Sequence, residues 1–208
     1  MDHAAPSSST AIATPPLAQR HDGPPPPRLR ELLTLDLQAC NGRSGGRAML
    51  AALVYEPGFS TVAWHRVAQR VQAAGWRRLA KLIWRFNTAW SSCHLHLDAR
   101  LGGGLHLPHP AGIVVGAGVE LGRFVTLYQH STVGRNLRDP GYPRLGTGVT
   151  VFPGATVIGS LDIEAGVTIG AGTVVSRSLP AGVVVAGNPA RIVRYPRPTD
   201  TPAAGDKP

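Results

Sequence analysis

Five of the eight histidines, His94, His96, His106, His109 and His130, lie in one stretch of this 208-residue chain. An imidazole changes charge near neutral pH, so each is a candidate to move a proton or to ligate a metal. His109 stands apart. It sits in "LHLPHPAGIVVG", held between Pro108 and Pro110, two residues that restrict the backbone on either side and could fix the direction of the ring. A base so held can draw a proton from an alcohol, a contribution on the order of 10²–10⁴-fold in rate. A turn histidine with no chemical duty is the plainer alternative. The two cysteines, Cys40 and Cys93, form no CxxC pair and cannot build a disulfide framework. A reduced, cytoplasmic setting is therefore expected.

The elements that would position His109 follow from periodicity. From Val115 every sixth residue is aliphatic: Val115, Leu121, Leu127, Val133, then Leu145, Val151, Val157, Ile163, Ile169 and Val175. A period of six with an obligatory aliphatic predicts a left-handed parallel β-helix, a stack of triangular coils whose aliphatics point inward. One coil cannot bury that face alone, so the stack is the core and both ends need caps. The rhythm breaks twice. Leu95, Leu101 and Leu107 keep the spacing, but Leu107 to Val115 is two residues too long, and the excess falls around His109. Residues 135–144, "RNLRDPGYPR", fit no coil and read as an extruded loop. Irregularities in a strict scaffold are where function is usually mounted.

The remainder is helical or irregular. Residues 29–93 read as a small α-helical domain ahead of a β-helix at 94–194. Short helices are expected near 31–40 and 46–55. Ser60 is expected to cap a helix carrying an apolar stripe of Trp64, Val67, Ala68 and Val71, and Gly75 to end it. The next helix, "WRRLAKLIWRFNTAW", spaces Leu79, Leu82, Ile83 and Phe86 three and four apart. That stripe is expected to cap the first coil, with an anionic membrane surface as the lesser alternative. Residues 60–92 carry six Lys and Arg and no Asp or Glu, within a net charge of +9. No motif here reads nucleic acid, and none is expected as a partner. Residues 1–28 and 195–208 are rich in Pro, Ser and Ala and are expected to be disordered. No signal peptide and no membrane-spanning run is read.

"HPAGIVVG", "VTLYQHSTVG" around Gln129, the extruded loop, "IGAGTVV" and "AGNPARIV" together resemble the hexapeptide acyltransferases, most closely their serine acetyltransferase branch. "EPGFSTVAWHRVAQ" resembles the helical part of that branch, so the likeness covers about 31–194. It implies an acetyl-CoA-dependent O-acetyltransferase acting on serine or a related small acceptor. It also implies a homotrimer or dimer of trimers with the site between two prisms, His109 as general base, and no metal. The family lays the pantetheine arm of CoA along small residues at coil corners, which match Gly134, Pro153 and Ala171. Arg191 and Arg194 could reach the nucleotide phosphates.

The chain also departs from that pattern. Pro108 stands where an aspartate usually precedes the base, and His94 where an aspartate lies on the coil below. Tyr142 replaces the loop's second histidine, and Gly141 the arginine expected to meet a substrate carboxylate. "GRS" at 42–44 replaces an upstream "DP" pair. Each change removes a group that would pair the charged ends of an amino acid, which relaxes selectivity. His94 and Tyr142 remain candidate acceptor contacts, and a sugar or polysaccharide hydroxyl is the alternative acceptor. The chain ends without the isoleucine that docks the family on its sulfhydrylase, and that complex is not expected. Two readings of other classes stand beside these. One is an assembly scaffold that has lost catalysis. The other is a zinc hydratase on the same prism, although the HLH and HLPH spacings do not match its HxxxxH pattern.

Overall fold

The computed structural model describes residues 27–137 and 139–196. The remainder of the two Pro-rich ends lies outside the described residues. Four helices come first: α1 (Leu29–Asn41), α2 (Gly46–Tyr55), α3 (Pro57–Ala73) and α4 (Arg77–Ser91). Helix α1 opens with the Glu31 carboxylate accepting the Arg28 N–H at 3.0 Å and closes at Gly42, whose φ of 68° suits glycine. Helix α3 starts at Pro57, one turn before the expected Ser60. Proline is preorganised for a first helical position, and the Ser60 hydroxyl instead donates back to the Pro57 carbonyl.

A triangular left-handed β-helix of about five turns follows. Its faces are three parallel sheets. Face A stacks His94–Leu95, Val114–Val115, Thr132–Gly134, Thr156–Ile158 and Val174–Val175. Face B stacks Arg100–Leu101, Glu120–Leu121, Arg144–Leu145 and Asp162–Ile163. Face C stacks Thr126–Leu127, Thr150–Val151, Thr168–Ile169 and Val184–Ala186, and an antiparallel strand, Arg191–Arg194, closes its far edge. All ten aliphatics of the six-residue series are buried in one continuous core. The two breaks are real in register. Val114 pairs with Thr132, 18 positions on, whereas His94 pairs with Val114, 20 positions on, which puts the two extra residues in the His109 turn. Thr132 pairs with Thr156, 24 positions on, so the 135–144 segment adds six residues without disturbing the stack.

The first coil explains why α3 faces the way it does. A β-helix leaves one row of backbone groups unpaired at its end, and buried groups of that kind need partners. Here they come from side chains of the helices. Trp84 donates to Leu95 O at 2.7 Å, and Gln69 to Leu97 O and Ala99 O at 3.1 and 2.9 Å. Arg66 donates to Leu101 O and Gly102 O at 2.7 and 2.6 Å. The Asp36 carboxylate accepts Gly104 N–H and Leu105 N–H at 2.8 and 2.9 Å. Gly58 of α3 passes so close to the Leu107 carbonyl that no Cβ would fit.

That requirement corrects two expectations in part: Ala68 and Val71 of the α3 stripe and Ile83 of the α4 stripe do pack against Leu97 of the first coil, but the other large members do not. Helix α3 buries Val62, His65 and Arg66, while Trp64 of the expected apolar stripe is half exposed. Helix α4 docks through Ala80, Ile83, Trp84 and Asn87. Leu79, Leu82 and Phe86, expected to cap the first coil, face outward. The coil's edge offers carbonyls beside a small apolar surface, so the face that carries hydrogen-bonding groups among its apolar residues docks in preference to the greasier one.

Candidate active site

The edge where the chain turns from face C to face A carries the features that interrupt the repeat. Its corners lie one above another at Pro108–Gly112, Gln129–His130, Pro153–Gly154 and Ala171–Gly172. Each holds one left-handed residue: Gly112 (φ 71°), His130 (59°), Gly154 (70°) and Gly172 (64°). Their amides donate to Ser92, Ala111, Gln129 and Pro153 carbonyls at 2.8–3.0 Å, pinning each corner to the one below. Adjacent coils are separated by the strand spacing of ~4.8 Å, so this edge from His109 to Ala171 is roughly 14 Å long.

His109 is exposed at the foot of this edge. The turn that carries it is held through Gly112, which donates to Ser92 O, and through Ala111, whose carbonyl accepts the His130 N–H. Coil spacing alone does not explain Gly112. The His130 imidazole lies over it where a Cβ would project, so glycine is required both by φ and by space. His130 is itself a non-glycine residue in the left-handed region, a conformation sparsely used by side-chain-bearing residues. Among the described residues, no side chain hydrogen-bonds the His109 ring.

The other sequence candidates divide between two edges. His94 lies on face A with its ring against Trp84 of α4, centroids 5.0 Å apart, and its buried Nε2 has no partner. Tyr142, at the end of the extruded segment, lies flat over Gly116 and Gly118, where the chain turns from face A to face B. Face A therefore separates Tyr142 from His109. Gly134 ends its face A strand on the Tyr142 side, whereas Pro153 and Ala171 share the His109 edge. The coil leaves the Ala171 N–H unused, and Pro153 has none to offer. Arg191 opens the closing strand and, with Ser176, Arg177, Pro189 and Ala190, borders a cleft of about 140 Å³. Arg194 pairs with Val184 farther along that strand.

Three features escape the sequence reading. Tyr128 and Phe152 stack at 5.1 Å with rings 8° from parallel on the His109 edge, and Phe152 occupies a corner where glycine and other small residues recur. Gln129 Oε1 is buried there without a partner. The extruded segment is tied down by Asp139, which accepts N–H bonds from Gly141 at 3.0 Å and Ser160 at 2.7 Å. Those two bonds hold its carboxyl below the usual range. The bulky ring in place of a small corner residue is the signal that could have found Phe152. Asp139 has no such signal, because its partners are 2 and 21 residues away.

Elsewhere, burial lowers His106, opposed by Glu56. Among the described residues no group of three His, Cys, Asp or Glu side chains is placed to hold a metal ion. The five histidines are thus not drawn together as a zinc site would need.

No protein-family model matches the chain. Comparison with curated sequences does find likeness: it is 32% identical to the serine acetyltransferase of Staphylococcus xylosus over 150 residues, 71% of this chain and 69% of that one. Among solved structures, it resembles soybean serine acetyltransferase complexed with serine (TM-score 0.72, 32% identity, 79% of this chain and 69% of that one). It also resembles a serine acetyltransferase in complex with CoA (TM-score 0.71, 27% identity, 79% and 69%). The chain spans between 48% and 60% of the length of four other curated serine acetyltransferases, from Synechococcus elongatus, Buchnera aphidicola and Arabidopsis thaliana.

Proposed function

Because this chain belongs to the serine acetyltransferase family, we propose that it transfers an acetyl group from acetyl-CoA to a hydroxyl of serine or a related small acceptor. The carrying observation is the stacked edge with His109 exposed at its foot and the corners Gln129–His130, Pro153–Gly154 and Ala171–Gly172 rising above it. His109 acts as general base. An imidazole nitrogen takes the acceptor's hydroxyl proton as the oxygen bonds to the thioester carbonyl carbon. The tetrahedral intermediate then loses its C–S bond, and the imidazolium returns the proton to the departing thiolate. The products are an acetyl ester and free CoA thiol, with no net proton change.

The donor's pantetheine arm lies along the same edge, where the free Ala171 amide can bond it and Pro153 only packs against it. Arg191 faces the phosphates. Gly134 and Tyr142 belong to the opposite edge of face A, so they complete the site when a second prism sets that edge against His109. A homotrimer supplies that arrangement three times. His94 and Tyr142 are the acceptor contacts.

A sugar hydroxyl is the second reading, favoured by the Tyr128–Phe152 stack. Flat aromatic faces suit a pyranose ring, and Pro108 and Gly141 bring no charge to the ends of an amino acid. Thiol release from acetyl-CoA, assayed with serine, homoserine and a panel of sugars, tests both readings. His109→Ala should lower turnover at least tenfold while the unfolding midpoint stays unchanged. Undiminished activity in that variant overturns the base assignment. No release with any acceptor overturns the enzyme and leaves a scaffold.

A further inference from the structure

The helical region presents a surface that neither the prism nor the proposed reaction uses. At 100° per residue, α4 divides into three arcs. One faces α3 and the first coil through Ala80, Ile83, Trp84 and Asn87. A second, about 80° wide, exposes Leu79, Leu82, Phe86 and Trp90, with Leu82 at 64%, Phe86 at 68% and Trp90 at 80% accessible. The third, about 100° wide, carries Arg77, Arg78, Lys81 and Arg85, all exposed and, among the described residues, without an ion pair.

The apolar arc continues beyond the helix. Trp64 of α3 and Leu53 of α2 join Phe86 and Trp90 around a groove of about 240 Å³. At the other end, Trp76 and Leu79 border a shallow hollow of about 410 Å³. Phe86 and Trp90 stack on each other in the open, centroids 6.4 Å apart. From Trp76 to Trp90 the stripe is roughly 21 Å long, with an indole at each end, the side chain that favours a membrane–water boundary.

We propose that this face docks on an anionic lipid bilayer, α4 lying in the interface plane with Leu79, Leu82, Phe86 and the tryptophans in the acyl boundary and the four cations against phosphodiesters. An apolar stripe flanked by a purely cationic band is the pattern of an interfacial helix. The charge chooses the occupant. Residues 60–92 contain no Asp or Glu, so a second copy of this face would bring its cations against four like charges, whereas an acidic lipid surface neutralises them. No helix among the described residues is long and apolar enough to cross a membrane; this one lies on it.

Flotation of the full chain with vesicles tests the proposal independently of acetyl transfer. Vesicles of phosphatidylcholine with about 30% phosphatidylglycerol should recover at least fivefold more protein than phosphatidylcholine alone, and 0.5 M NaCl should reduce the difference. Leu82→Ser/Phe86→Ser and Arg78→Glu/Lys81→Glu change only exposed side chains, and each should abolish recovery while circular dichroism and the unfolding midpoint hold. Equal recovery from both vesicle types, no recovery, or recovery by both folded variants overturns it. Light scattering without lipid adds one outcome. If Leu82→Ser/Phe86→Ser halves the assembly and the native chain does not float, the face joins copies and the proposal fails.

Discussion

Arg66 and Asp36 form a paired double contact, Nε to Oδ2 and Nη2 to Oδ1, both 3.0 Å, with neither side chain reaching solvent. Their remaining capacity is spent on the first coil: Arg66 on two carbonyls, Asp36 on two amides. The pair is therefore the joint between helices and prism. Removing one partner strands a buried charge, which costs about 3–5 kcal/mol. Arg66→Met should lower urea-unfolding stability by that amount. Asp36→Leu combined with Arg66→Met should cost less than the sum of the single changes, because no unpaired charge remains.

His65 gives the fold an acid limb. Burial, then the neighbouring charge of Arg66 and that of His96, lowers its pKa from 6.5 to about 3, and neither ring nitrogen has a partner. The unfolded chain binds a proton below pH 6.5 that the native state refuses, so this contribution is complete above 6.5 and is lost as pH falls toward 3. The slope approaches about 1.4 kcal/mol per pH unit for one proton. Stability measured from pH 7 to 4 should fall, and His65→Leu should flatten the fall. An unchanged slope in that variant assigns the limb elsewhere.

Gly112 should not tolerate a side chain. Gly112→Ala meets both a φ of 71° and the His130 ring, and should cost about 1–3 kcal/mol while displacing the His109 turn. His130→Gly in the same chain removes the overlap but not the φ penalty, so stability and turnover should recover in part. Thermal melts and acetyl-transfer rates on the single and double variants measure both.

The cysteines should differ in reactivity. Burial pushes the Cys93 thiol up to about 12, whereas Cys40 is raised by half-burial and by Glu56. A thiolate is the reactive form. Titration with an aromatic disulfide at pH 8 should therefore modify Cys40 slowly in the native protein and both thiols in denaturant. Rapid native modification of Cys93 would mean that the core beneath α4 opens.

The prism was readable because its core is written by position. Val115 through Val175 occupy equivalent inward sites, and insertions appear as a lost beat at His109 and a gap after Val133. The helices were not readable in the same way. Apolar spacing pointed α3 through Trp64 and α4 through Leu82 and Phe86, but the surface they dock on carries a row of carbonyls that Arg66, Gln69 and Trp84 satisfy. Periodicity measures greasiness and cannot see a hydrogen-bonding edge. Gly134, Pro153 and Ala171 were legible as coil corners through the family resemblance, and His109 as the residue at the lost beat. The separation of Tyr142 and Gly134 from His109, Pro153 and Ala171 was not, since which side of a triangle a residue borders depends on where six extra residues leave the stack.

The polar closure of the first coil also fixes the length of the molecule. A parallel ladder with bare amides and carbonyls at its end is a template that any extended strand can lengthen, chain upon chain, into a fibril. Asp36, Gln69, Arg66 and Trp84 occupy those rungs from within the same polypeptide, and the reversed strand Arg191–Arg194 ends parallel growth at the opposite pole. What keeps another strand from gripping this spring is four side chains at one pole and one reversed strand at the other.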